Sequence, residues 1–234
     1  MHAKPDLRVV LKWMINRSGS VIADVIRLDS VMDLITQTQW ADYSHAYGPA
    51  TDLPPILRDL ISDDRELVEI AITNLHATIC HQGTVYSATA PVVPILYSAL
   101  ENAENNRVQI AFLIACIANG NGYYSREHEI LEPLYDIWRQ TLAGQGTTLE
   151  QVRQQESVYI NSIRDAIGDG FAQLPPFIQS GDADVREEIV LAINKFTEHF
   201  ETSMPCLKRQ LVVESNHKIR RMIENSIAQL EDST

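Results

Sequence analysis

The chain has 234 residues, 45% of them hydrophobic, and a formal net charge of −12. That length allows one domain with a sizeable core, or an array of about five helix pairs at ~40–47 residues each, and apolar residues recurring throughout exclude a disordered chain. A charge this negative is repelled by phosphate backbones and anionic lipid, so the expected partner is another protein, neutral or basic, with no membrane involved.

In chain order, residues 1–40 read as helical, with Ser18-Gly19-Ser20 as a turn, and are expected to cap the first helix pair. Asp6, Arg8 and Lys12 interrupt any apolar run at the N-terminus, which leaves no signal-peptide pattern. No stretch reaches the ~20 apolar residues of a membrane span. Cys80, Cys116 and Cys206 are scattered and form no CxxC pair, which fits small buried thiols in a cytoplasmic protein.

The motif Leu53-Pro54-Pro55-Ile56-Leu57 comes next, and it recurs. Val93-Pro94-Ile95-Leu96, Glu132-Pro133-Leu134-Tyr135, Leu174-Pro175-Pro176-Phe177-Ile178 and Met204-Pro205-Cys206-Leu207 repeat it. The matching prolines are Pro55, Pro94, Pro133, Pro176 and Pro205, a period of about 40 residues that shortens only at its last step. Proline suits the first turn of a helix, where its missing N–H needs no partner. Each motif is therefore expected to open a helix.

A second start signal follows each motif except the last. Asp63 stands three residues before Glu66, Asn106 before Gln109, Thr148 before Gln151 and Asp184 before Glu187, the spacing of a capping box. Apolar stripes follow, such as Val185, Ile189, Ile193 and Phe196, then Ile219, Ile223, Ile227 and Leu230. The reading is one domain over 1–234 with helix pairs near 53–80, 91–119, 129–167, 174–199 and 204–231. Residues 143–147 form a flexible break in the third pair, and a division into two domains there is the alternative.

Asp182-Ala183-Asp184-Val185-Arg186 resembles the Asp…Val-Arg signature of HEAT repeats, and Arg107-Val108 matches it loosely. The segment from Trp40 through His45-Ala46-Tyr47-Gly48-Pro49-Ala50 to Leu53-Pro54, with His81-Gln82-Gly83-Thr84-Val85-Tyr86 and Ala88-Thr89-Ala90-Pro91, is similar to a family of uncharacterised bacterial HEAT-like proteins. The resemblance implies an all-α, right-handed α-solenoid of about five HEAT-like pairs with an N-terminal helical cap, an armadillo-type superhelix. Some such families act as immunity proteins of secreted toxins, which implies a non-enzymatic protein-binding module that occludes a toxin domain.

Stacked pairs place every pair-to-pair connection on one edge. Five of the eight tyrosines, Tyr43, Tyr47, Tyr86, Tyr123 and Tyr124, fall in the first three connections, with His45, His81, Gln82 and His128. Tyrosine combines contact area with a hydrogen bond at small entropic cost, so Tyr43, His45, Tyr47, His81, Gln82, Tyr86, Tyr123 and Tyr124 are the candidate partner-binding residues. A structural reading stands beside this one: Tyr47 and Tyr86 pack between loops, His81 caps a helix end, and Gly48 and Gly83 supply backbone angles. Phe171 and His199 extend the same edge. The opposite edge gathers Asp59, Asp63, Asp64, Glu101, Glu104, Asp182 and Asp184, an acidic strip suited to a basic partner.

Lys208, Arg209, Lys218, Arg220 and Arg221 make the final repeat basic, and nucleic-acid processing through it is the alternative function. No G-x-S-x-G elbow, phosphate-binding glycine loop or dinucleotide fingerprint occurs. No catalytic residue, metal site or cofactor is expected, although an enzyme built on the loops is a third alternative.

Overall fold

Helix-period spacing becomes helix along most of the chain. The computed structural model describes residues 31–102, 104–125, 132–196 and 199–232. It is all-α apart from two short hairpins and an isolated bridge. Contacts divide the chain into two compact units, Met1–Thr38 and Gln39–Thr234. In the first, a helix runs over 31–37, and residues 1–30 of the expected cap lie outside the described residues.

The second unit carries α1 (Leu53–Leu60), α2 (Arg65–Ile79), α3 (Thr89–Asn102), α4 (Arg107–Ala118), α5 (Glu132–Gly144), α6 (Leu149–Gly170), α7 (Ala183–Ile193), α8 (Phe200–Val213) and α9 (His217–Asp232). The prolines meet these helices in different ways. Pro54 and Pro55 occupy the first turn of α1, as expected. Pro94 and Pro205 instead lie inside α3 and α8, each one turn beyond the helix start. Both are exposed, so the missing hydrogen bond falls on the water side. Pro175 and Pro176 open a 3-10 segment, Pro175–Gln179, rather than an α-helix.

The caps are partly shifted. Thr148 and Gln151 form the expected reciprocal box at the start of α6. At α2 and α7 the capping carboxylates belong to Asp64 and Asp182, which accept from Glu66 N and Asp184 N, rather than to Asp63 and Asp184. Asn106 sits at the N-cap of α4 without a side-chain cap bond.

Packing follows the pairs at both ends: α1 lies against α2, α3 against α4, and α8 against α9. The second helices form a continuous layer, with α2 touching α4, α4 touching α7, and α7 touching α9. The expected third pair does not enter this layer. Its second helix, α6, packs mainly on α3, so α4 meets α7 directly. The reason lies in α6 itself, whose buried positions Ile163, Ile167 and Gly170 form one stripe in its C-terminal half. Gly170 admits the Tyr97 ring of α3, where an added Cβ would lie 2.2 Å from the ring. The Tyr97 hydroxyl donates to Ile167 O at 2.9 Å. Helix α4, buried at Ile110, Ala111, Leu113, Ile114, Ala115 and Ile117, forms the centre of the core and has little polar face to offer water.

An arginine near the start of each of three second helices reaches back to the end of the element before it. Arg107 donates to Leu100 O and Glu101 O, Arg186 to Ser180 O, and Arg220 to Leu211 O. Carbonyls near helix ends have no partner further along their own helix, and these arginines supply donors there.

Candidate functional site

The connection before α1 folds as a hairpin, β1 (Ser44–His45) against β2 (Gly48–Pro49). The connection between α2 and α3 does the same, β3 (Cys80–His81) against β4 (Thr84–Val85). Gln82 and Gly83, the two residues of its turn, have φ of 51° and 76°. Positive φ at both central positions is what a type I′ turn requires, and it matches strand twist. Gln82 is therefore a turn residue in the left-handed region, exposed at the tip.

These loops are joined through the backbone. Ala88 N donates to Ser44 O at 3.1 Å, and Ser44 N to Ser87 Oγ at 2.8 Å. Ala46 N donates to Thr78 O at the end of α2. The second loop then joins the third by a parallel bridge, with Val85 N donating to Asn121 O at 3.0 Å and Asn121 N to Gly83 O at 3.1 Å. Three connections distant in sequence thus form one stitched edge.

His45 is 6% exposed and holds the first hairpin from within. Its Nδ1 accepts Tyr47 N at 3.0 Å, so Nε2 carries the proton and donates to Asp52 Oδ1 at 2.7 Å. His45 is a brace rather than a contact residue. Tyr47 is 67% exposed, with its ring edge-on to His81 at 5.7 Å. Tyr43 is half-buried beside Trp40, at 6.4 Å between rings. Tyr86 is half-buried, and its backbone N–H donates to Thr89 Oγ1.

In the third loop, Tyr123 is 51% exposed while Tyr124 is half-buried. Both rings pack on Trp138 of α5, at 5.4 and 4.9 Å, and Tyr135 lies 5.9 Å from the same indole. Helix α6 fixes the backbone here. The Glu156 carboxylate accepts Tyr124 N at 2.9 Å and the Ser125 hydroxyl at 2.6 Å, and Arg153 Nε donates to Tyr124 O at 2.8 Å. Burial, with Tyr123 and the Glu156 charge nearby, pushes the Tyr124 phenol up. Burial, then the charge and hydrogen bond of Glu156, raises Tyr159.

The eight candidates thus divide. Tyr47, Gln82 and Tyr123 are exposed along the stitched edge; Tyr43, His81, Tyr86 and Tyr124 are half-buried within it; His45 is internal. Farther along, Phe171 turns inward and stacks on His199 at 4.4 Å. His128 lies outside the described residues. Sequence reading missed Asp52, Arg153, Glu156 and Trp138, because only the packing of α5 and α6 brings three of them to the loop.

The remaining surfaces are more ordinary. Asp64 and Asp182 of the acidic strip are helix caps. Lys208, Lys218 and Arg220 of the basic segment pair with Glu231, Glu187 and Glu224. Among the described residues no helix is long and apolar enough to cross a membrane. No family model matches the chain, and no curated protein matches it.

Proposed function

We propose that this chain is a non-enzymatic HEAT-type helical-repeat module that grips another protein along its edge of stacked loops. One observation carries the reading: three loops stitched by backbone hydrogen bonds present exposed Tyr47 and Tyr123 on a braced support. Ordered aromatic side chains lose little entropy on binding, and a pre-built surface avoids the cost of ordering loops. The net charge of −12 favours a basic partner and fast, salt-sensitive association. In its most specific form the module is an immunity protein that occludes a secreted toxin's domain. The ion pairs of Lys208, Lys218 and Arg220 leave the nucleic-acid alternative with less support.

A photo-crosslinking residue at position 47 or 123, introduced into the full chain in its host cell, tests this. The expected result is the same covalent adduct from both positions and none from position 212, an exposed valine on α8. No adduct at 47 and 123, or equal adducts at all three, overturns the reading. A captured protein that is not a toxin overturns only the immunity form.

A further inference from the structure

The cysteines carry information that their sequence spacing hides. His76 and Cys80 lie four residues apart, at the end of α2 and on β3, and Phe112 and Cys116 lie four apart on α4. Phe112 and Cys116 therefore share one face of α4, and α4 contacts both α2 and β3. Phe112 stacks on the His76 ring, with centroids 5.5 Å apart and planes at 28°. His76 Nε2 lies 4.0 Å from Cys116 Sγ, and β3, which carries Cys80, packs against α4. Cys80 is fully buried, whereas Cys116 is half-buried.

We propose that Cys116 is a peroxide-reactive thiol, with His76 as the base that holds its proton and Cys80 as the resolving thiol. In the first step the Cys116 thiolate attacks a hydroperoxide. An S–O bond forms, the O–O bond breaks, hydroxide or alkoxide leaves, and the sulfur becomes a sulfenic acid while the peroxide is reduced. In the second step the Cys80 sulfur attacks that sulfenic sulfur. The S–S bond forms, the S–O bond breaks, and the oxygen departs as water with the Cys80 proton.

The surroundings favour the thiolate. The hydrogen bond from Cys80, with the hydrogen bond and charge of His76, brings the Cys116 thiol down to about 7 against partial burial and the Glu188 carboxylate of α7. Half-exposed thiols beside an imidazole are the reactive ones, whereas buried thiols without such partners are inert. Sequence reading treated all three cysteines alike; the His76–Cys116 approach and the packing of β3 on α4 separate two of them from Cys206.

Two readouts on the full reduced chain test the proposal. The first is the pH profile of Cys116 alkylation by iodoacetamide, followed by peptide mapping. A half-point near pH 7 is expected, with a rate at that pH about three- to fourfold above an unperturbed thiol once lower nucleophilicity offsets the larger thiolate fraction. His76→Gln should move the half-point upward. The second readout is the product of hydrogen peroxide treatment: a disulfide-linked Cys80–Cys116 peptide. In Cys80→Ser, which keeps a hydroxyl donor, a sulfenic acid should accumulate at Cys116 and be trapped by a 1,3-diketone. An alkylation half-point in the ordinary range near 8.5, or peroxide-treated wild-type chain without the Cys80–Cys116 link, overturns it. The wild-type experiments decide even if Cys80→Ser does not fold.

Discussion

Glu156 and Tyr124 stand 32 residues apart in sequence, yet the buried carboxylate of one accepts the backbone N–H of the other at 2.9 Å. Arg153, one turn earlier on α6, donates to the carbonyl of that same tyrosine. Both backbone groups of Tyr124 are thus held by a single helix face. Gly122 makes room for the clamp, since a Cβ there would lie 2.3 Å from a Glu156 oxygen.

Removing the carboxylate should release the third loop. Glu156→Ala leaves Tyr124 N–H and the Ser125 hydroxyl without their acceptor, at an expected cost of about 2–3 kcal/mol. Urea denaturation measures the loss. Amide exchange at Tyr124 should quicken in the variant while α4 stays protected; unchanged exchange at Tyr124 contradicts the clamp.

The exposed and half-buried tyrosines should respond differently. Tyr47→Ala removes a mostly solvated ring and Tyr123→Ala a half-solvated one at the rim of the Trp138 cluster, and each should change stability by less than about 1 kcal/mol. Tyr124→Ala opens the packing on Trp138 and should cost about 1–2 kcal/mol. Thermal unfolding of the three single variants gives the ranking directly.

The contact between α3 and α6 depends on a missing side chain. Gly170→Ala should destabilise by about 1–3 kcal/mol, because the Tyr97 ring cannot yield without breaking its bond to Ile167 O. Gly144→Ala, at the end of α5 with nothing within 4 Å of its would-be Cβ, should be neutral or slightly stabilising. Equal effects of the two substitutions contradict the close approach.

Acid should act through Glu214. Its side chain is sealed from solvent and receives two bonds from Arg186, one from Gln210 and one from Asn216 N. The Arg186 guanidinium, with those further donors, holds the carboxyl down at about 2. A carboxyl held below its unfolded value takes up protons more readily on unfolding, so its contribution is present near neutral pH. It is lost as pH falls from about 5 toward about 2, and should amount to about 3 kcal/mol. Glu214→Gln should lower stability at neutral pH and flatten the acid limb of a pH-dependent unfolding series in that window.

Much of the helical layout was legible because it is local. The capping box of Thr148 and Gln151 and the double proline of α1 are each set within a few residues, whereas the hairpin over Cys80–Val85 was not foreseen. The third pair was misread for the opposite reason. Its spacing fits a repeat, but the choice of α6 to pack on α3 turns on Gly170 and Tyr97, which no periodicity links. The loop edge was legible as a gathering of tyrosines. Which of them face outward was not, because Trp138 and Glu156 decide it from other helices. His45 shows the same limit, since its role follows from Asp52 and Tyr47 N rather than from being a histidine in a loop.

The central claim is that the stitched loop edge binds a protein partner. The most direct measurement is the affinity of the crosslinked partner, once purified, for the wild-type chain and for the Tyr47→Ala, Tyr123→Ala double variant. The account predicts at least a hundredfold weaker binding, about 3 kcal/mol, with thermal unfolding nearly unchanged. Equal affinity of the two proteins would contradict it.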